Sequence, residues 1–260
     1  MFRLSFSLYD LEFFLLIVVR ITCFVATAPL FNNRSVTNRF KVMFGIFVAY
    51  VIYHFVQPES MVQYSSPWDY AIIVMKEAVV GLLIGFGANI CTSIVNFAGR
   101  IMDMEMGLSM ATIYDPSTRE NTTLSGSMLN YLTLMLLLLT GLHRYLIQAI
   151  VETYQLIPVN GAVLEPAHLM DSMVRFMGDF FSIGFRICLP VFASIMLLNA
   201  VLGILAKVSP QLNMFAVGHQ LKILVGFGVT FLTINILPYA SEMIYAEIKT
   251  MVVSFVEAMM

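Results

Sequence analysis

The chain has 260 residues, 59% of them hydrophobic and 12% charged, with a formal net charge of −2. Soluble domains are about 45–50% apolar and about 25% charged, so this composition excludes an ordinary soluble domain and selects a membrane-class chain or a very apolar subunit of a larger assembly. The balance of charge offers no footprint for nucleic acid, and Cys23, Cys91 and Cys188, far apart inside apolar runs, describe neither a disulfide framework nor a zinc site.

A membrane-spanning helix needs about 20 largely apolar residues. Candidate segments are 11–31, 40–56, 70–99, 123–157, 170–207 and 212–237, followed by an amphipathic helix over 238–260. In that last segment Ile244, Ile248, Met251, Val252 and Phe255 share one helical face. The first segment has the outline of a signal peptide, with Arg3, an apolar run and then Ala26-Thr27-Ala28. Asp10 and Glu12 stand where positive charge belongs, and Pro29 would follow the cut, so it reads as a retained helix. Several segments exceed one plain span, which implies tilt or extension beyond the bilayer. Pro190 is expected to kink the 170–207 segment.

Basic residues suggest a topology. Arg34, Arg39 and Lys41 cluster in a loop free of acids, which places it in the cytoplasm. The 56–69 connection, with Glu59 and Asp69, suits the opposite side, and Lys207 and Lys222 bracket a return to the cytoplasm. Simple spanning then gives an even number of crossings with both termini outside.

A charge at the centre of an apolar helix costs roughly 2.5–3.5 kcal/mol on insertion scales. Arg20, Lys76, Glu77 and Arg186 lie in or near such runs. Snorkelling or a local pair is the bland reading; a water-filled lumen or a neighbouring subunit is the functional one. For Arg20 and Arg186 the second is preferred, because an unpaired arginine facing lipid is the costly option. Gly81-x-x-x-Gly85, with Gly87 after it, lets two helix backbones approach closely. His54, His143, His168 and His219 are scattered and none has a second ligand at metal spacing. No phosphate loop or nucleophile elbow occurs, so an enzyme reading has no residues to rest on and no cofactor is expected.

The stretch 102–118, MDMEMGLSMATIYDPST, lies between two apolar runs. Met102, Met106 and Met110 are spaced i, i+4, i+8 and would form one stripe on a helix. Gly107, Ser109, Thr112 and Asp115-Pro116 argue against a continuous helix, and the polar 117–127 stretch STRENTTLSGS is expected outside the core. Methionine adapts its shape to its surroundings. A short apolar stretch between polar ends fits a segment that fills a hole and can leave it; ordinary core is the alternative.

Three stretches carry a resemblance: KEAVVGLLIGFG at 76–87, GRIMDMEMGLSMATIYDP at 99–116, and AKVSPQLNMFAVGHQLK at 206–222. Together they resemble the FliR family of flagellar export-gate proteins, called SctT in virulence secretion systems, over nearly the whole chain. Lys207 stands where family members often have Arg, and His219-Gln220 where they often have an aromatic-Pro pair. The resemblance implies an all-α, membrane-class protein with kinked, tilted helices and a C-terminal helical hairpin, part of a helical pore. About 1–169 would be a FliP-like part and about 170–260 a FliQ-like hairpin. The hairpin tip would carry Lys207, Pro210, Gln211, Asn213, Phe215, Gly218 and Lys222. Implied partners are FliP-like, FliQ-like and FlhB-like subunits, unfolded export substrates and membrane lipid, with no nucleic acid. The implied place is the bacterial inner membrane at the centre of the flagellar basal body, partly raised toward the periplasm. A loop over 104–121 would enter the pore. Met104, Met106, Gly107, Met110, Ile113, Asp115 and Pro116 would form its plug, with Gly107 and Gly126 giving mobility. Gly81, Gly85 and Gly87 would pack helices, and Arg20, Glu77 and Arg186 would meet other subunits or the lumen. The rivals are the equivalent virulence-secretion subunit, a small-molecule secondary transporter and a membrane enzyme. The transporter lacks its expected pair of broken half-helices in matching halves.

Overall fold

A computed structural model describes residues 8–32, 36–55, 64, 66–109, 112–115, 120–209 and 214–260. Among them are α1 (Leu8–Thr27), α2 (Asn38–Phe55), α3 (Pro67–Met106), β1 (Thr112–Asp115), β2 (Glu120–Thr123), α4 (Leu124–Leu139), α5 (Leu142–Leu156), α6 (Pro166–Val208), α7 (Met214–Leu232) and α8 (Leu237–Glu257). The fold is all-α apart from the β1–β2 hairpin.

Local chemistry sets several boundaries. At the start of α3, Ser66 is the cap and Pro67 the first helical residue, where its missing N–H costs nothing. The Ser66 N–H donates to Asp69 Oδ2 at 3.0 Å, one half of a capping box. α4 and α5 are split by Gly141 at φ +88°, a conformation glycine adopts without a Cβ penalty. α6 continues for 43 residues through Pro190 as one helix.

Among the described residues two helices, α3 and α6, are long and apolar enough to cross a membrane. The bent pairs α4–α5, at 65°, and α7–α8, at 44°, raise that to as many as four if each pair is one span. This corrects the plain reading of six apolar spans. α1 carries Asp10, Glu12 and Arg20 within 20 residues, and the 123–157 segment is two helices rather than one. The segment expected over 70–99 is also longer. It continues to Met106, so the methionine stretch begins as helix.

The chain forms two compact units: residues 1–90, 141–175 and 248–260, and residues 91–140 with 176–247. In the first, Leu16, Ile17, Ile21 and Phe24 of α1 and Val80, Ile84 and Ala88 of α3 are fully buried. Each large aliphatic or aromatic side chain so buried contributes about 1.5–3 kcal/mol. The C-terminus is stapled within this unit: Val163 and Glu165 N–H groups donate to the Met259 and Ala258 carbonyls at 3.1 and 3.0 Å. In the second unit, Phe97 lies 5.1, 5.4 and 5.9 Å, ring to ring, from Phe180, Phe181 and Phe185. Gly184 leaves the space its ring occupies.

Candidate functional site

The last turn of α3 ends in a Schellman motif. The Leu108 N–H donates to the Asp103 carbonyl at 2.8 Å and the Gly107 N–H to the Met104 carbonyl at 3.1 Å. Gly107 closes it at φ +81°, the left-handed region where a side chain is strained. A Cβ there would also stand 2.8 Å from the His219 ring of α7.

The methionines divide. Met102 and Met106 are buried, and Met106 lies against α7, where a Cβ on Gly226 would overlap its sulfur. Met106 is therefore interior packing, which corrects its place among the expected stoppers. An uninterrupted helix through residue 106 turns it inward with Met102, four residues earlier. Met104, on the other face, is 60% exposed. Met110 and Pro116 lie outside the described residues. Ile113 and Asp115 sit on β1, in register with Thr122 and Glu120 of β2.

The return from the hairpin is tied at its base. Asp103 is fully buried, and its carboxylate accepts from the Ser125 N–H at 2.8 Å and the Ser125 hydroxyl at 2.5 Å. Beside it the backbones of Gly99 and Gly126 meet so closely that a Cβ on Gly99 would overlap Gly126 Cα. Thr122 and Ser127 share a hydroxyl bond, and Ser127 Oγ donates to the Thr123 carbonyl at 3.0 Å. Two expectations are corrected here. Thr122, Ser125 and Gly126 of the polar stretch are buried, because Asp103 and Ser127 satisfy the hydroxyls. Gly126 serves close packing rather than mobility.

The first unit contains a second buried polar cluster. Arg20 and Glu77 are both fully buried and pair at 2.6 Å through Arg20 Nε. Arg20 Nη1 donates to the Ile157 carbonyl at 3.0 Å, and its guanidinium lies 4.3 Å from the Tyr154 ring centroid. The Asn160 N–H donates to the other Glu77 oxygen at 3.0 Å. Asn160 holds φ +68° in the turn Pro158–Gly161, a type II turn closed at 2.8 Å. The pair thus joins α1, α3 and the turn after α5. Within this chain Arg20 and Glu77 pair with each other, and Arg20 Nη2 is left buried without a hydrogen-bond partner. The spacing of 57 residues hid the pairing from local inspection.

The glycines of α3 stand beside this cluster. A Cβ on Gly81 would overlap the Arg20 carbonyl, and one on Gly85 the Thr27 hydroxyl, so both let the α1 backbone approach. Gly87 faces the Phe255 ring. Arg186 is exposed on α6, between exposed Phe185 and Leu189. At the expected hairpin tip Lys207 is exposed and Gly218 packs against Leu202. Lys222 is half-buried on α7. Phe215 lies on the same helix, and Pro210, Gln211 and Asn213 lie outside the described residues.

Sequence reading missed Asp103. Its partner lies 22 residues away, beyond any helical or turn spacing. The one signal was an acid on the apolar side of the methionine stretch, four residues before a glycine.

Long apolar helices and a short hairpin clamped between two of them define an all-α, membrane-class protein. Residues 11–248 match the family described as Bacterial export proteins, family 1. The chain belongs to that family, the FliR family, which is an export family rather than an enzyme family. It is 33% identical over 218 residues to the flagellar biosynthetic protein FliR of Bacillus subtilis (strain 168), covering 82% of this chain and 83% of the relative. The FliR proteins of Pectobacterium carotovorum and Escherichia coli (strain K12) are each 26% identical, over 88% and 89% of this chain and 87% of their own lengths.

Proposed function

We propose that this chain is a core subunit of the flagellar type III protein export gate, helping to form and close the pore through which unfolded flagellar proteins cross the bacterial inner membrane. The observation that carries this reading is the family match across residues 11–248, nearly the whole chain. The exposed apolar faces agree with it. α6 leaves Met170, Val174, Phe181, Phe185, Leu189 and Leu197 uncovered, and such faces are buried either by lipid or by sister subunits. In the assembly they meet FliP-like and FliQ-like subunits, with an FlhB-like subunit nearby, at the centre of the basal body and partly raised toward the periplasm. About 1–169 play the FliP-like part, and about 170–260, most of α6 with α7 and α8, supply the FliQ-like hairpin.

The loop between Gly107 and Thr123 supports the closing role. It leaves α3 through a left-handed glycine, folds back as a four-residue ladder, and re-enters α4 at a fixed point. Exposed Met104, on the last turn of α3, and Tyr114, on β1, are the adaptable apolar and aromatic surface at this loop. Such a surface excludes water without demanding one partner sequence. Arg186 meets a neighbouring subunit or the aqueous lumen.

Deleting the gene tests the subunit role. Flagellar subunits should cease to be exported, and the FliP-like and FliQ-like proteins should no longer co-purify as one particle. Export at the wild-type level without the chain would overturn the proposal.

A further inference from the structure

A helix leaves its first N–H groups without intrahelical partners, and the residue at the cap position usually supplies an acceptor. Thr123 occupies that position in α4 and makes no side-chain cap; its hydroxyl oxygen is buried without a partner. The acceptor comes instead from Asp103 of α3, which takes both the backbone N–H and the hydroxyl of Ser125. An aspartate at 123 would cap α4 locally. Using Asp103 joins the start of α4 to the last turn of α3, across the whole intervening loop.

We infer that Asp103 is a positioning residue: it ties the start of α4 to the last turn of α3, and so sets where the β1–β2 hairpin stands. The observations form one circuit. The Schellman motif fixes the outgoing strand, beginning at the Asp103 carbonyl. The ladder pairs Thr112 with Thr123 and Asp115 with Glu120. The Asp103 carboxylate then receives Ser125, and the Gly99–Gly126 approach allows the two helices to come close enough for that contact. One residue therefore anchors both ends, its carbonyl holding the exit and its carboxylate the return. The inference rests on the proposed closing role of this loop.

The experiment uses the assembled complex and four variants: Asp103→Ala, Asp103→Asn, Thr123→Asp, and Asp103→Ala with Thr123→Asp. Two readouts are taken, ion leak across the membrane and the distance between spin labels at Met104 and Tyr114, with Cys23, Cys91 and Cys188 replaced by alanine. Asp103→Ala should assemble, leak several-fold more than wild type, and broaden a narrow label distance. Asp103→Asn, which keeps an acceptor for the Ser125 N–H, should lie between. The double variant regains a cap on α4 but not the tie to α3, so its leak and its broad distance should remain. Recovery of both by Thr123→Asp would make Asp103 a helix cap alone and overturn the inference. A narrow distance in Asp103→Ala would overturn it as well. If Asp103→Ala fails to assemble, Ser125→Ala replaces it; that variant loses only the hydroxyl bond and should broaden the distance partially, and an unchanged distance counts against the inference. A complex lacking residues 107–116 that stays tight removes the closing role of the loop, while the label distances still decide the role of Asp103.

Discussion

Glu77→Ala should largely abolish folded, assembled protein. The change leaves the Arg20 guanidinium fully buried without its carboxylate, and breaking a buried ion pair by removing one partner costs about 3–5 kcal/mol. Against a typical net stability of about 5–15 kcal/mol, that loss is a large fraction of the whole. The Asn160 N–H loses its acceptor in the same step, so the turn after α5 is released with it. Replacing both partners, Arg20→Met with Glu77→Leu, should recover most of the loss, because a well-packed apolar pair of similar volume removes the desolvation cost of both ions. The measurement is protease resistance and co-purification of the two single variants and the double. Equal damage in the double and in Glu77→Ala would show that the charges themselves are required, by a partner or by the lumen.

Gly81→Ala should also be clearly harmful, although it adds a single methyl group. That methyl would overlap the carbonyl of Arg20, which is backbone and has no rotamer to escape into. α1 must therefore move away from α3, and overpacking of this kind costs about 1–3 kcal/mol. The displaced residue is Arg20 itself, so the strain passes into the ion pair. Gly178→Ala on α6 is the control. Nothing stands within 4 Å of a Cβ there, and the substitution should stabilise the helix by about 0.5–1 kcal/mol. Since Gly81 and Glu77 act on the same contact, the double variant Gly81→Ala, Glu77→Ala should cost less than the sum of the singles. Full additivity in the thermal midpoint would sever that link.

The class of the fold was legible because apolar runs of helical length need no tertiary information. The boundaries were less so. Ser66-Pro67-Trp68-Asp69 is a readable start signal and sets α3 three residues earlier than hydropathy does. At the far end, Gly107 was legible as a break, yet the apolar run reads as ending at residue 99, and the helix continues to Met106. Asp103 is tolerated inside the helix because its carboxylate has found Ser125. The same reason hid the Arg20–Glu77 pair: each residue alone looks like an intramembrane charge, and only folding brings them to 2.6 Å. Gly81 and Gly85 could be read as a close approach, but nothing local named α1 as the neighbour.

Deletion of residues 107–116 tests most directly whether the 107–123 loop closes a pore in the assembled export gate. The assembly is checked by co-purification, and ion leak is measured in cells together with flagellar export. A complex that assembles and leaks is the predicted result, since Asp103 and Ser125 remain to hold the two helices while the hairpin is gone. A complex that assembles and stays as tight as wild type would contradict the account.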